Sequence, residues 1–207
     1  MIEATYQARL DALLADGRRK ILGIVGPPGC GKSTLAKALS EHLGNRAVVV
    51  PMDGFHLANV ELSRLGRAGR KGAEDTFDSA GYVALLRRLR AQSCDELVYA
   101  PEFRREIEEP IANAIPVAAD TPLIITEGNY LLLDRGHWVR VRALLDEAWY
   151  IEVDHTLRLE RLIKRHQQFG RSAQAARTWV AQTDEPNAQL IESTQSRADV
   201  LFRWEKN

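Results

Sequence analysis

The sequence predicts a single α/β domain in which a parallel β-sheet is covered by helices on both faces. Short apolar runs of strand length alternate with longer stretches whose apolar residues recur at helical spacing. This alternation is typical of parallel strands joined by helical crossovers. A chain of 207 residues with 45% hydrophobic residues has the size of one such domain. We therefore expect residues 1–207 to form one domain.

The predicted elements follow one another along the chain. An amphipathic helix is predicted over residues 2–14. Five apolar runs are predicted to be strands, at residues 21–25, 47–50, 123–125, 149–153 and 200–202. Further helices are predicted over residues 34–43, 82–89, 138–145 and 157–166. Two stretches interrupt the alternation, 53–75 and 170–196, and we interpret both as candidates for mobile segments that cover a substrate.

Composition excludes several classes of partner. The chain has 28 Lys plus Arg and 28 Asp plus Glu, so no overall positive field favours nucleic acid or an acidic membrane. No apolar run approaches the length of a membrane span, and charges interrupt the first residues where a signal peptide would be apolar. Cys30 and Cys94 are too few for a disulfide framework. We expect a cytoplasmic monomer or homodimer that binds neither nucleic acid nor membranes.

A glycine-rich segment lies between the first predicted strand and the next helix. Residues 26–33 read Gly-Pro-Pro-Gly-Cys-Gly-Lys-Ser, which fits the pattern G-x-x-x-x-G-K-[ST] in its required context. Backbone N–H groups of such a loop point at phosphate oxygens, the lysine neutralises the β- and γ-phosphates, and the serine hydroxyl binds Mg²⁺. The predicted nucleotide-binding residues are Gly26, Pro27, Pro28, Gly29, Cys30, Gly31, Lys32, Ser33 and Thr34. The sequence therefore predicts a P-loop NTPase three-layer fold that binds ATP and Mg²⁺.

Two acids directly follow apolar runs. Asp53 comes after the run at 47–50, and Glu127 comes after the run at 123–125. Ligands of open parallel sheets bind beyond the carboxyl ends of the strands, so both side chains are expected near the phosphate loop. Phosphoryl transfer to an alcohol uses one carboxylate as a base and another to hold the metal or its water. An acid at a strand end can also be a helix cap or turn former.

Several further motifs carry a family resemblance over nearly the whole chain. They are Met-Asp-Gly-Phe-His at 52–56, Arg-Lys-Gly at 70–72, Thr-Phe-Asp at 76–78, Glu-Gly-Asn-Tyr at 127–130, the arginine-bearing segment 161–171 and Arg-Ala-Asp at 197–199. With the phosphate loop, they resemble the uridine kinase, phosphoribulokinase and bacterial pantothenate kinase family of P-loop kinases. Within this family the chain looks most like a bacterial branch described as fructose-transport-associated kinases.

The resemblance implies a five-stranded parallel sheet in the order 2-3-1-4-5 and a helical lid at about residues 158–185. It implies catalytic roles for Lys32, Asp53, Arg161 and Arg165, with Asp53 as the base, and a metal site at Ser33 and Glu127. Arg161 and Arg165 are four residues apart, so both can reach the transferred phosphoryl group when the lid closes and excludes water. Without the resemblance, this basic pattern would read as a solvated helix face.

The predicted acceptor site departs from the family pattern. Pro101-Glu102-Phe103 is followed by Arg104 where many relatives carry Asp, and His166 follows Arg165 where Asp is common. We predict that the acceptor is bound by Asp53, His56, Phe103, Arg104 and Glu127. Arg64, Arg67, Arg70 and Lys71 either bind a phosphate already on the acceptor or form a solvated basic surface.

The predicted function is transfer of the γ-phosphate of ATP to a hydroxyl of a small molecule, with a sugar such as fructose favoured. A nucleoside or pantothenate-type kinase of the same family is the alternative. From another class, the alternative is a nucleotide-dependent regulatory ATPase. A GTPase switch is disfavoured because the sequence has no Asn-Lys-x-Asp motif, and Asp78-Ser79-Ala80-Gly81 opens a predicted helix.

Overall fold

A computed structural model describes residues 2–204, and its centre is a five-stranded parallel sheet. The strands of the chain are Lys20–Val25 (β1), Ala47–Pro51 (β2), Val98–Arg104 (β3), Glu109–Val117 (β4), Leu123–Gly128 (β5), Glu147–Glu152 (β6) and Val200–Arg203 (β7). The central sheet has the order β2-β5-β1-β6-β7. Counted over its own five strands, this is the order 2-3-1-4-5, so the predicted fold class and topology are confirmed.

Helices surround the sheet and continue into the segment after β6. They are Ala4–Leu14 (α1), Lys32–Leu43 (α2), Asn59–Arg64 (α3), Ser79–Arg90 (α4), His155–Gln168 (α5), Ala173–Trp179 (α6) and Glu185–Glu192 (α7). A π-helical turn, Val180–Asp184, joins α6 to α7. No helix within residues 2–204 has both the length and the apolar character needed to cross a bilayer.

The sheet separates two hydrophobic cores. In β1, Ile21 and Val25 pack into one core, whereas Leu22 and Ile24 pack into the other. Successive side chains of a strand point to opposite faces, and a parallel sheet covered by helices buries both of them. This explains why the strands read as continuous apolar runs.

The helix predicted over 138–145 is wrong. The structure has two 3₁₀ segments there, Gly136–Arg140 and Arg142–Leu144. The buried side chains of this stretch include Trp138 and Val141, which are three residues apart. Spacing by three places side chains on one line of a 3₁₀ helix, so this pair fits the tighter turn as well as an α-helix.

The antiparallel hairpin β3–β4 was not predicted. Prolines at positions 101, 110 and 116, together with several charges, argue against strands in the sequence. They are tolerated because a two-stranded sheet consists only of edge strands, and the pairing register shifts between Ala100 and Glu102, around Pro101. The hairpin packs on the turn that follows β2, which brings it to the functional cleft.

Candidate active site

The phosphate loop joins β1 to α2 and packs directly against α5. Gly29 and Gly31 have φ angles of +83° and +98°, in the left-handed region that favours glycine. A Cβ atom on Gly29 would lie 2.8 Å from Cγ of Leu162 and 3.0 Å from the carbonyl oxygen of Arg158. The loop therefore needs glycine both for its conformation and for its contact with the helix above it.

Lys32 opens α2 and is nearly buried. Its ammonium donates hydrogen bonds to the carbonyl oxygens of Gly26, at 2.9 Å, and Pro27, at 3.2 Å. The first N–H groups of a helix have no partner within the helix, and its dipole adds positive potential at this end. The start of α2 and the Lys32 ammonium together place positive potential at this end of the cleft.

The predicted nucleotide-binding residues divide into two groups. Six of them line the cleft: Pro28, Gly29, Gly31, Lys32, Ser33 and Thr34. The carbonyl oxygens of Gly26 and Pro27 accept hydrogen bonds from the Lys32 ammonium, and Cys30 is buried beneath the loop. Burial raises the pKa of the Cys30 thiol, which fits a packing role rather than a reactive one.

The cleft has a volume of about 1020 Å³. Its walls are the phosphate loop, the turn after β2, the end of β5, the hairpin and α5. Sites for a single drug-sized ligand usually measure about 300–1,000 Å³. This cleft is therefore large enough for a nucleotide and a second small molecule.

Asp53 and Glu127 lie at the same edge of the sheet. Pro51 of β2 is in register with Glu127 of β5, and Asp53 follows in a 3₁₀ turn, Met52–Phe55. Ser33 donates a hydrogen bond from Oγ to Oε1 of Glu127 at 3.0 Å. Burial raises the pKa of Glu127, and the negative charge of Asp53 adds to this, while the nearby Lys32 ammonium opposes it. The structure thus brings both predicted acids together beside the phosphate loop.

Gly54 sets the position of Asp53. A Cβ atom at residue 54 would clash with the carbonyl oxygen of Pro101 in β3. The hairpin backbone therefore holds the turn that carries Asp53, and only glycine permits this approach.

We predict that Gly54→Ala lowers kcat by about 10-fold or more, because moving a catalytic group by about 1 Å costs up to about 10²-fold. The affinity for ATP, measured by calorimetry, should stay within about twofold, since the phosphate loop is not displaced. The matched control is Gly69→Ala, because nothing lies within 4 Å of a Cβ at that position. Equal kcat for Gly54→Ala and the wild type would show that the hairpin does not position Asp53.

His56 lies between two phenylalanine rings. Its ring centroid is 4.0 Å from that of Phe77 and 4.5 Å from that of Phe103. Burial lowers the pKa of His56, so the ring is neutral at neutral pH. Nδ1 lies 2.7 Å from the carbonyl oxygen of Asp53, which assigns the proton to Nδ1 and leaves Nε2 as an acceptor.

The structure does not bring Arg104 into the cleft. Arg104 is exposed, and its Nε donates to Oε2 of Glu102 at 2.7 Å on the outer face of the hairpin. Phe103 and Arg105 line the cleft instead, and Nη2 of Arg105 is 3.5 Å from Oδ2 of Asp53. Arg104 ends β3 and lies on the same face as Glu102, whereas Arg105 is the first residue of the turn that joins β3 to β4. Sequence reasoning missed Arg105, because the hairpin whose turn carries it was not predicted.

Arg161 and Arg165 of α5 both line the cleft. Arg158, one turn earlier, is 1% exposed and forms an ion pair with Glu185 of α7. Behind Arg165, Nε2 of His166 lies 2.8 Å from Oδ2 of Asp184 in the π-helical turn. The segment predicted as a lid, about residues 158–185, comprises most of α5, α6 and the π-helical turn, and these contacts connect its helical parts. Arg158 and Leu162 of α5 also lie against Gly29 of the phosphate loop.

Two of the motifs in the sequence serve the fold rather than the cleft. Asp199 accepts a hydrogen bond from the backbone N–H of Ala148 at 2.7 Å, which fastens β7 to the sheet. Asp78 caps α4 by accepting from the N–H of Gly81 at 2.8 Å. The contact between Asp78 and Gly81 explains why residues 78–81 fit the pattern Asp-x-x-Gly. This pattern therefore needs no nucleotide switch to account for it.

Two tryptophans in the cleft were missed by sequence reasoning. Trp204 follows β7, and its Nε1 lies 3.2 Å from the position of a Cβ on Gly31. Trp179 ends α6, and the guanidinium of Arg171 lies 3.9 Å above its ring. Only the fold brings these rings near the phosphate loop and α5, and no local pattern around them indicates it.

Comparisons with known proteins agree with this geometry. The model of the phosphoribulokinase / uridine kinase family matches residues 21–206. A proposed uridine kinase of Schizosaccharomyces pombe is 38% identical over 163 residues, which are 74% of this chain and 69% of that protein. YggC of Escherichia coli, an uncharacterised protein, is 33% identical over 190 residues, which are 89% of this chain and 77% of YggC.

A solved structure is also similar over nearly its whole length. The crystal structure of a proposed fructose transport system kinase from Silicibacter sp. TM1040 has a TM-score of 0.84 and 35% sequence identity. The match covers 94% of this chain and 98% of that one. With its phosphate loop and the two acids beside it, the chain belongs to the phosphoribulokinase / uridine kinase family and is an ATP-dependent kinase of small molecules.

Proposed function

We propose that this kinase transfers the γ-phosphate of ATP to a hydroxyl of a sugar, of which fructose is the representative. The observation that carries the proposal is the placement of Asp53, whose carboxylate shares one cleft with the phosphate loop and the acceptor side formed by His56 and Phe103. ATP supplies the transferred phosphoryl group and leaves as ADP. The protein stabilises the phosphate charge on the nucleotide side of the cleft and provides a proton acceptor on the acceptor side.

The cationic residues hold the phosphates. Lys32 and the N–H groups at the start of α2 face the β- and γ-phosphates, and Arg161 and Arg165 reach over them from α5. Ser33 and Glu127 fit a Mg²⁺ ion, because they offer a hydroxyl and a carboxylate oxygen side by side. Ser33 and Glu127 would hold the ion, which would supply neutralisation of phosphate charge.

Asp53 holds the acceptor hydroxyl and takes its proton as the new oxygen–phosphorus bond forms and the bond to ADP breaks. Nε2 of His56 accepts a hydrogen bond from a second hydroxyl. Asn59, Glu108 and Asn129 line the same region and offer further polar groups. Such a set suits a molecule that presents several hydroxyls.

Two facts favour the sugar over the other acceptors of the family. The Silicibacter protein is described by a role in fructose transport, and it is 35% identical to this chain. The acceptor side also presents carboxylate, amide and imidazole groups that bind hydroxyls.

The two cysteines are unpaired, which favours a reducing, cytoplasmic location.

The proposal is tested by measuring ADP release with fructose, other sugars, nucleosides and pantothenate as separate acceptors. We expect a sugar to stimulate ADP release at least about 10-fold over the rate without acceptor, and mass spectrometry should show the phosphorylated sugar. Stimulation only by a nucleoside or by pantothenate would assign the alternative acceptor class. Rapid ADP release that no acceptor changes would instead indicate a regulatory ATPase.

A further inference from the structure

We infer that the acceptor is an acidic sugar, whose carboxylate or phosphate is bound by Arg105 with Lys71 beside it. The inference rests on the proposed function and narrows its substrate class. It makes Arg105 the residue that determines specificity.

Positive charge in the cleft exceeds what the triphosphate needs. Besides Lys32, Arg161 and Arg165, the cations that line it are Lys71, Arg105 and Arg171. Arg171 stacks on Trp179 in the helical segment. The remaining cations of the cleft are Lys71 and Arg105. Both lie close enough to His56 for their charges to lower its pKa further. Two cations therefore gather on the acceptor side, around His56 and Phe103.

Most other arginines of this region are neutralised by carboxylates outside the cleft. Arg64 donates to Glu61 at 2.8 Å, Arg67 and Arg70 pair with Asp75, and Arg104 pairs with Glu102. The basic loop at 64–71 is thus mostly a solvated, paired surface. Only Lys71 of this loop's charged residues reaches the cleft, where its ammonium lies 5.3 Å from the centroid of the Phe103 ring.

Arg105 differs from these arginines. Within residues 2–204, the polar contact of its side chain is the 3.5 Å approach to Asp53, at the outer limit of a hydrogen bond. A guanidinium has five N–H donors in a rigid fork that matches carboxylate and phosphate oxygens. The Arg105 side chain is 41% exposed and lines the cleft, so N–H donors that Asp53 does not use are accessible to a ligand.

Because Arg105 contacts Asp53, we expect the charge of the acceptor to affect catalysis as well as binding. While Nη2 of Arg105 lies 3.5 Å from Oδ2 of Asp53, the guanidinium occupies space beside the carboxylate oxygen that the acceptor hydroxyl has to reach. An anion on the acceptor draws Arg105 away and leaves the Asp53 oxygen to the hydroxyl. A neutral acceptor leaves Arg105 on Asp53. The anion is therefore expected to improve both binding and turnover.

Acidic residues on the same wall fit a polyol rather than a simple anion. Glu108 lines the cleft, and its carbonyl oxygen accepts a hydrogen bond from Lys71. Asp53 and Glu127 are also close. These carboxylates repel an anion placed against them but accept hydrogen bonds from hydroxyls. The preferred ligand thus has its anionic group at Arg105 and Lys71 and its hydroxyls towards the acids.

The test compares fructose, gluconate and fructose 6-phosphate, which represent the neutral, carboxylate and phosphate forms. For the wild type we expect kcat/KM for one of the anionic compounds to exceed that for fructose by about 10- to 100-fold, the range of one or two charge-assisted hydrogen bonds. Arg105→Gln should remove this preference, by lowering kcat/KM for the preferred anionic compound at least about 10-fold more than kcat/KM for fructose. Arg105→Lys should retain part of it.

Arg104→Gln is the matched control, because Arg104 is the neighbouring arginine on the outer face of the hairpin. It is expected to keep the wild-type preference. The anionic compound that loses more kcat/KM in Arg105→Gln identifies the group that Arg105 binds. A larger loss for gluconate indicates a carboxylate, and a larger loss for fructose 6-phosphate indicates a phosphate. A wild-type preference for fructose, or an equal loss for all three compounds in Arg105→Gln, would overturn the inference.

Binding separates this inference from the proposed function. Calorimetric titration of gluconate and fructose 6-phosphate into the protein with a non-hydrolysable ATP analogue needs no turnover. Binding that Arg105→Gln weakens at least about 10-fold and Arg104→Gln does not supports the anion site even where no sugar is phosphorylated. Phosphorylation of fructose without any measurable binding of either anion would support the proposed function and contradict the inference.

Discussion

Asp53→Asn is expected to lower kcat by about 10²- to 10⁴-fold, the range for a lost general base. The amide keeps the size of the side chain but cannot take the proton of the acceptor hydroxyl. ATP binding should survive, because Asp53 does not belong to the phosphate loop, whose lysine is held by Gly26 and Pro27. The measurement is kcat from acceptor-dependent ADP release, with the ATP dissociation constant determined in parallel.

The control for this variant is Asp11→Asn, the same chemical change on the exposed side of α1. It should leave kcat and the melting temperature unchanged. Near-normal turnover of Asp53→Asn with the true acceptor would rule out Asp53 as the base. Glu127 would then be the remaining carboxylate beside the phosphate loop.

Lys32→Ala should lower kcat/KM for ATP by about 10²- to 10³-fold with every acceptor, the usual cost of removing a preorganised electrostatic contact. The ammonium is held against two loop carbonyls at the start of α2, so no neighbouring side chain can replace it without rebuilding the loop. Because Lys32 is nearly buried, the melting temperature of the variant has to be measured as well.

Lys37→Ala provides the comparison for Lys32→Ala. Lys37 lies on the same helix, is 76% exposed and, within residues 2–204, pairs only with Glu41, at 3.7 Å. Its removal should change neither ATP use nor stability, since exposed pairs of this kind contribute little. A Lys32→Ala protein that folds normally and phosphorylates at the wild-type rate would contradict the role of the phosphate loop.

The two variants also separate the two halves of the cleft. Asp53 acts on the acceptor, so the decrease in activity caused by Asp53→Asn should depend on which acceptor is present. Lys32 acts on the nucleotide, so the decrease caused by Lys32→Ala should be the same for all acceptors. Gly54→Ala and Arg105→Gln belong with Asp53, because the hairpin that contacts Gly54 also carries Arg105. We expect nucleotide affinity to be preserved in all three.

The family resemblance implied the strand order of the sheet. The sequence by itself determined the parallel sheet, the phosphate loop and the two acids beside it. These features are encoded locally. Lys32 is fixed by a motif of eight residues, and Asp53 and Glu127 follow apolar runs of strand length. Because the carboxyl ends of parallel strands meet at one edge, local position was enough to bring these residues together.

The tertiary structure decided the acceptor side. Arg105 rather than Arg104 faces the cleft because β3 pairs with β4, a partner that the prolines in the sequence argued against. Lys71 rather than its neighbouring arginines reaches the cleft because Glu61 and Asp75 hold those arginines elsewhere. Trp204 lies on the phosphate loop because β7 is the edge strand next to β6. Each of these outcomes depends on contacts between distant residues, and such contacts have no signature in a local pattern.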